Sequence, residues 1–228
     1  DKLNEMFNND REDFQQKWND IKMIVEYGML TEEKFYEKAK KFALYVSEDG
    51  TFRTWDEYFE KVKENQTDKE GNTIILYAAH KDGQHAYIEK AKAKGYDVLV
   101  MESPLVSHLM QKMESENSNV RFARVDSDLI DNLIKKDEER VSKLTDDEKA
   151  KVKETIESNV PKEKFTVRIE DLDSTEDAFT ITVPEFMRRM REMQATGGGG
   201  GMYGMMGDMP EMYDLVVNSN HELTSRIL

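Results

Sequence analysis

The sequence has no cysteine, which excludes disulfides and thiolate metal sites and suits a reducing compartment, so a cytoplasmic location is expected. It has no apolar run near the roughly 20 residues that cross a bilayer, and its N-terminus, Asp1-Lys2-Leu3-Asn4, has no signal-peptide pattern. No membrane partner is therefore expected. Basic residues are outnumbered, 33 Lys and Arg against 47 Asp and Glu, for a formal net charge of -14. Such an anionic surface disfavours nucleic acid and anionic lipid. Catalytic groupings are missing too: no two carboxylates are paired in an identifiable cleft, and no Ser-His or Cys-His arrangement can be read. His80 and His85 are expected at the surface rather than as ligands, because five residues around a turn do not bring them together. What remains is a 228-residue chain with 38% hydrophobic residues, enough for one large domain or two ordinary ones. Its polar, helical start without an initiator methionine reads as the interior of a longer chain.

Eight of the fourteen methionines lie between Pro184 and Met212. On a helical wheel Phe186, Met187, Met190 and Met193 share an arc of roughly 120°, with Arg188, Arg191 and Glu192 on the other side. Methionine is unbranched and polarizable, so this side can fill an irregular core or meet many partners at an exposed surface. The thioether spacing would in principle suit a soft metal, but without cysteine or a nearby histidine no metal is expected. The five glycines that follow, Gly197 to Gly201, lack the Gly-Lys-Ser/Thr ending of a phosphate loop. They read as a mobile tether.

Residues from about 11 to 66 read as three helices. Phe14, Trp18, Ile21 and Val25 form the stripe of the first, with Gly28 suited to its end. Thr31 is the expected cap of the second, in which Phe35, Ala39 and Phe42 face inward, and Ser47 to Gly50 is a turn. Thr54 with Glu57 forms a capping box that opens the third. The continuous apolar runs Thr73 to Tyr77 and Val98 to Met101 suggest strands covered on both faces. With a helix from about Gln84 to Lys94 between them, stopped by Gly95, they make a βαβ unit. A helix from Pro104 to about Met113 and a strand at Val120 to Phe122 follow. The charged segment Asp126 to Glu148 is read as a solvated helix face rather than a flexible linker, with a boundary in it. Thr145 and Glu148 form a second capping box, opening a helix with Val152 and Ile156 inward. Phe165 to Ile169 and Phe179 to Val183 alternate as half-exposed strands and are expected to pair antiparallel. Tyr213 to Val217 is a third strand, and a helix begins near Asn220.

Several of these patterns, in order, resemble the 90-kilodalton heat-shock proteins, most closely their bacterial members. Asp56-Glu57-Tyr58, then Val62-Lys63-Glu64-Asn65-Gln66 and the strand Ile74 to Tyr77, is similar to the family's acidic-Tyr, Met-Lys-Glu-x-Gln and Ile-Tyr-Tyr pattern, with Val62 for methionine and a longer insertion at Thr67 to Thr73. Lys94-Gly95-Tyr96-Asp97-Val98-Leu99 resembles Lys-Gly-x-Glu-Val-Leu. Asn218-Ser219-Asn220-His221 resembles Asn-Pro-Asp-His, whereas Ser103-Pro104-Leu105-Val106 departs from the family's Asp-x-Ile-Asp. The resemblance covers nearly the whole chain.

It implies an α/β plus α+β fold. Residues 1-126 would be the C-terminal part of a middle domain, with a three-helix coil over 1-66 and a small αβα unit with a parallel sheet over 67-126. Residues 127-228 would be a C-terminal dimerisation and client-contact domain with a three-stranded sheet and an amphipathic helix, truncated before its last helices. It also implies an ATP-dependent chaperone of unfolded or partly folded client proteins. ATP and Mg2+ would bind in an N-terminal domain absent here, so the fragment itself is expected to hold no cofactor and no catalytic residue. The intact protein would be a homodimer and this fragment a weak dimer or none. Phe186, Met190 and Met193 fall on apolar positions of the family's client-contacting helix. His108 stands where a related bacterial member has a client-contacting tryptophan, and Gln194 replaces an apolar residue, which moves the expected patch toward Met187. The competing reading is a small-molecule-binding enzyme domain on the βαβ unit 74-101, with Ala79 to Gly83 as its ligand loop.

Overall fold

Phe14, Trp18, Val25 and Met29 repeat at helical spacing along α2 (Arg11–Thr31) and are all buried, so this helix supplies one wall of the largest apolar cluster. A computed structural model of the chain describes residues 2–196 and 210–228. The glycine run Gly197 to Gly201, expected as a tether, lies outside the described residues. A short helix, α1 (Lys2–Asn9), precedes α2, and Asp10 caps α2 by accepting the Asp13 N–H at 3.0 Å.

The expected end of this helix at Gly28 is not where it stops. α2 runs on to Thr31, whose hydroxyl donates back to the Tyr27 carbonyl at 2.9 Å instead of capping the next helix, α3 (Glu33–Ala39). Gly28 serves a close approach: a Cβ there would lie 2.8 Å from the Phe35 ring. The coil is also not all helical. Ser47 to Gly50 closes a hairpin of β1 (Leu44–Val46) and β2 (Phe52–Thr54), with Gly50 at φ 85°, a conformation glycine adopts without steric cost. Sequence periodicity missed these strands because three residues are too few to show an alternation.

Helix α4 (Trp55–Val62) begins at the expected capping box, and Arg11 clamps its Glu57 at 2.6 Å. That hydrogen bond is the main reason the Glu57 carboxyl is held down to about 2. The motif residues after α4 act as ties. Asn65 donates to the Gly95 carbonyl at 2.7 Å, while buried Gln66 donates to Ile74 O at 2.8 Å and accepts the Asp97 N–H at 2.7 Å.

The parallel sheet has the order β4-β3-β5, formed by β3 (Thr73–Ala78), β4 (Val98–Val100) and β5 (Val120–Arg124). One face, with Ile75, Tyr77, Leu99 and Phe122, joins the cluster of α2 and α6 (Val106–Glu116). The other, with Ile74, Leu76 and Val98, packs on α5 (His85–Ala93) and α7 (Ile130–Leu133). Every residue of β3 is buried, as its unbroken apolar run predicts. Between Ile134 and Leu144 the charged segment is neither a helix nor loose chain. Lys136 donates to Asn65 O and Thr67 O at 2.9 and 2.7 Å, and Asn220 holds both Lys143 N and Val141 O.

The second unit has its own small core, in which Val152 and Ile156 of α8 (Asp146–Glu157) cover Val167 and Val217. Its sheet departs from the expected antiparallel pair. The order is β6-β8-β7: β8 (Tyr213–Asn218) lies between β6 (Phe165–Glu170), which it meets in parallel, and β7 (Phe179–Thr182), which it meets antiparallel. Val216, Val217 and Asn218 make the C-terminal half of β8 the most buried stretch of the three strands, so it takes the centre and the alternating strands take the edges. The chain turns from β6 to β7 around the Asn218 side chain. This amide, 0% exposed, donates to Asp173 O at 2.7 Å and accepts the N–H groups of Leu172 and Asn220 at 3.3 and 3.0 Å. The chain ends in α10 (Glu222–Ser225), capped by His221.

Replacing Asn218 by alanine removes the partner of these part-buried backbone groups and should cost roughly 2 kcal/mol of stability. Urea denaturation measures it, and a loss within experimental error would show that the amide is not what holds the turn.

Candidate functional site

The methionine helix, α9 (Glu185–Thr196), follows β7 directly and packs against α6. Its wheel suggests a greasy side turned to the protein or to a partner and an ionic side in water. The structure reverses the second half of that expectation. Arg188 is 7% exposed and Phe186 is 71% exposed, while Met187, Met190 and Met193 are half-buried. The helix is docked through its charges.

The acceptors that make this possible lie 67 to 111 residues away in sequence. Arg189 forks onto Glu114 of α6, at 2.9 and 3.3 Å, and donates to the Phe122 carbonyl at 2.7 Å. Glu114 in turn accepts the Phe122 N–H at 2.7 Å, so guanidinium, carboxylate and strand end close a ring. Arg188 donates to the Tyr77 hydroxyl, stands 5.6 Å over that ring, and pairs with Glu185 at 2.6 Å and Glu192 at 2.7 Å. Glu185 also accepts from Arg189 at 2.7 Å, from the Tyr77 hydroxyl at 2.9 Å and from Arg124 N at 3.2 Å. Glu192 is hydrogen-bonded by Ser107 of α6.

Burial alone would raise the Glu185 carboxyl, but the guanidiniums of Arg188 and Arg189 outweigh it and hold the group below its ordinary 4.5. For the two arginines burial works toward deprotonation, and the carboxylates of Glu185 and Glu114 overcome it, so both are held more firmly charged than usual. The Tyr77 hydroxyl is raised, first by burial and then by the Glu185 charge, so it stays protonated and able to donate.

Around this lock the remaining expected residues take their places. His108 is half-buried on α6, the helix against which α9 packs. Arg189, Glu185 and Glu114 were not singled out by sequence, and Arg188 and Tyr77 were read only as a solvent-facing charge and a strand residue. The i,i+4 pairs Glu185–Arg189 and Arg188–Glu192 were legible in spacing, but an ion pair along a helix ordinarily faces water, and nothing local shows that an acceptor waits on another element.

The ligand loop of the competing reading is tied at its start. The carboxamide of buried Gln84 accepts the N–H groups of Ala79 and His80 at 2.8 and 3.2 Å, so the backbone donors at the end of β3 are already spent. His80 and His85 are exposed. Among the described residues, the acidic group with spacing for a metal is Glu33, Glu37 and Glu116. All three are exposed, and Glu33 and Glu37 pair with Lys112 and Lys40, as a solvated ion-paired surface does.

A family model described as Hsp90 protein matches residues 1–228. The chain is 43% identical over 231 residues to the chaperone protein HtpG of Porphyromonas gingivalis and 45% identical over 231 residues to that of Bacteroides fragilis. Each match takes in 100% of this chain but 33% and 34% of the relative, so the chain spans about a third of the length of these curated relatives. Among solved structures, the middle domain of a Plasmodium falciparum heat shock protein matches with a TM-score of 0.39 at 19% identity, over 50% of this chain and 48% of that one.

Two outcomes follow from the lock. Arg189→Met strands Glu114 and should weaken the docking of α9 by roughly 3 kcal/mol, the cost of breaking a desolvated pair from one side; amide hydrogen exchange along α9 should accelerate accordingly, and unchanged protection would refute the pairing. Because the folded Glu185 carboxyl lies below 4.5, its stabilising effect is fully present above that value and is lost as pH falls through the lower, folded one. Protection of α9 should therefore drop below pH 4.5, and Glu185→Gln should abolish that step.

Proposed function

The chain belongs to the Hsp90 family, and from this premise we propose that it forms the client-contacting and dimerising portion of an ATP-dependent molecular chaperone. Residues 1–126 would be the C-terminal part of the middle domain. Residues 127–228 would be a C-terminal domain, with Ile130, Leu133 and Ile134 packing back onto the first unit. ATP and Mg2+ would be held by a domain outside this chain, which supplies the energy for the client cycle. The intact protein would work as a cytoplasmic homodimer, with this portion alone dimerising weakly or not at all.

One observation carries the reading. Docking α9 through Arg188 and Arg189 leaves Phe186 in solvent and Met187, Met190 and Met193 half-buried. A helix that packed by its apolar side would have nothing to offer a partner. Fully burying one such side chain is worth about 1.5–3 kcal/mol, so a few contacts suffice for reversible capture once the cost of immobilising the partner is subtracted. Methionine's three rotatable bonds let one surface fit many unrelated sequences. His108, on the helix against which α9 packs, would extend the patch with a smaller, partly polar contact.

Replacing Phe186, Met190 and Met193 together by serine removes the apolar side and leaves the ionic lock intact. In the full-length protein the variant should suppress aggregation of an unfolded test protein several-fold less well while keeping its circular dichroism spectrum. Suppression equal to the wild type would refute the assignment of these residues.

A further inference from the structure

The chain as a whole repels anions, with 47 acidic against 33 basic residues, yet one cleft inverts that balance. A cavity of about 210 Å³ opens between the turn before β3, the end of α5 and the segment after α7, lined by five cations (Lys69, Lys94, Lys135, Lys136 and Arg140) against two carboxylates, Asp131 and Glu138. We propose that this cleft is a binding site for a compact, multiply charged anion of the phosphate class.

The walls are held independently of any ligand. Lys69 N donates to Lys135 O at 2.8 Å, which fastens the turn to the segment, and the Lys136 ammonium is committed to the carbonyls of Asn65 and Thr67. Lys94 and Arg140 share Asp131, at 3.0 and 3.5 Å, and Arg140 reaches Glu170 at 3.9 Å. Asp131 therefore acts as a resident counter-charge that a stronger anion can outbid. Lys69 and Lys135 are exposed and have no side-chain hydrogen bond or ion pair among the described residues. Two ammonium groups with no carboxylate partner, beside two cations sharing one carboxylate, leave a surplus of positive charge in a concave, partly desolvated place. Field lines concentrate in such a place and attract an anion that the rest of the surface rejects. A phosphate group, with several acceptor oxygens and a charge above one, gains most from it because it can take hydrogen bonds from several cations at once. The cleft sits where the first unit meets the segment leading to the second, so occupancy would fasten that segment more tightly. The site is separate from the apolar side of α9 and does not rest on the reading given for it.

The probe is inorganic pyrophosphate, titrated calorimetrically into the 228-residue chain at low ionic strength. Saturable single-site binding is expected. Lys69→Gln with Lys135→Gln should weaken it about tenfold, the sum of two partly exposed charge contacts, and should leave the fold unchanged because neither side chain bonds to the protein. Asp131→Asn should tighten binding, since it frees Lys94 and Arg140. Lys151→Gln with Lys162→Gln, which removes the same charge far from the cleft, should have no effect. Absence of saturation, equal binding by the wild type and the Lys69/Lys135 variant, weaker binding by Asp131→Asn, or an equal loss in the distant variant would each overturn the proposal.

Discussion

The fork of Arg189 onto Glu114, with Arg188 closing on Tyr77 and Glu185, is the contact through which α9 is docked. Two of the three apolar clusters lie within one unit each, and the third, on the other face of the parallel sheet, takes in Ile130, Leu133 and Ile134 of the segment that leads to the second unit. Polar contacts hold the rest of the seam. Besides the lock it is closed by Val183 N to Asp126 O at 2.8 Å, Tyr87 hydroxyl to Ile181 O at 2.6 Å, Lys90 to Asp177 at 2.5 Å and Arg168 to Asp128 at 2.8 Å. Such bonds are directional and partly offset by desolvation, so they define one relative placement more strongly than they stabilise it.

That choice of seam decides which side of α9 faces solvent. Had α9 packed by its methionines, the charged side would have faced solvent and the apolar side would have become core. With the arginines spent on Glu114, Tyr77 and the strand end, Phe186 is left exposed and Met187, Met190 and Met193 half-buried. The rigidity of the docking also matters: Arg188 and Arg189 reach acceptors on α6, β3 and β5 at once, so the helix cannot roll without breaking several bonds together. At the other end of the seam, Arg168 gathers Asp128, Glu170 and Asp214, and the cationic cleft lies beside the segment that leads there.

Much of the secondary structure was legible because its causes are local. The capping boxes at Thr54 and Thr145, the apolar run of β3 and the stop at Gly95 each depend on residues within a few positions of one another. Where the reading missed, a distant residue had intervened. Gly28 looks like a helix end until the Phe35 ring is seen against it. β6 and β7 look like a hairpin until β8, arriving more than thirty residues after β7, takes the place between them. Asn218 was noticed as part of a family-like motif, but its physical task of holding the β6–β7 turn appears only in the fold.

For the candidate site the division runs along the same line. Composition and periodicity determined the absence of cysteine chemistry, the anionic surface, the strands of the two three-stranded sheets and the existence of an amphipathic helix rich in methionine, because these properties belong to each segment by itself. Which side of that helix would be covered belonged to none of them. An arginine is indifferent between water and a carboxylate until a particular carboxylate, Glu114, and a particular hydroxyl, Tyr77, are brought within hydrogen-bonding distance by the parallel sheet and α6. Only the tertiary structure makes that meeting, and so only it decides that Phe186 is exposed and Arg188 is not.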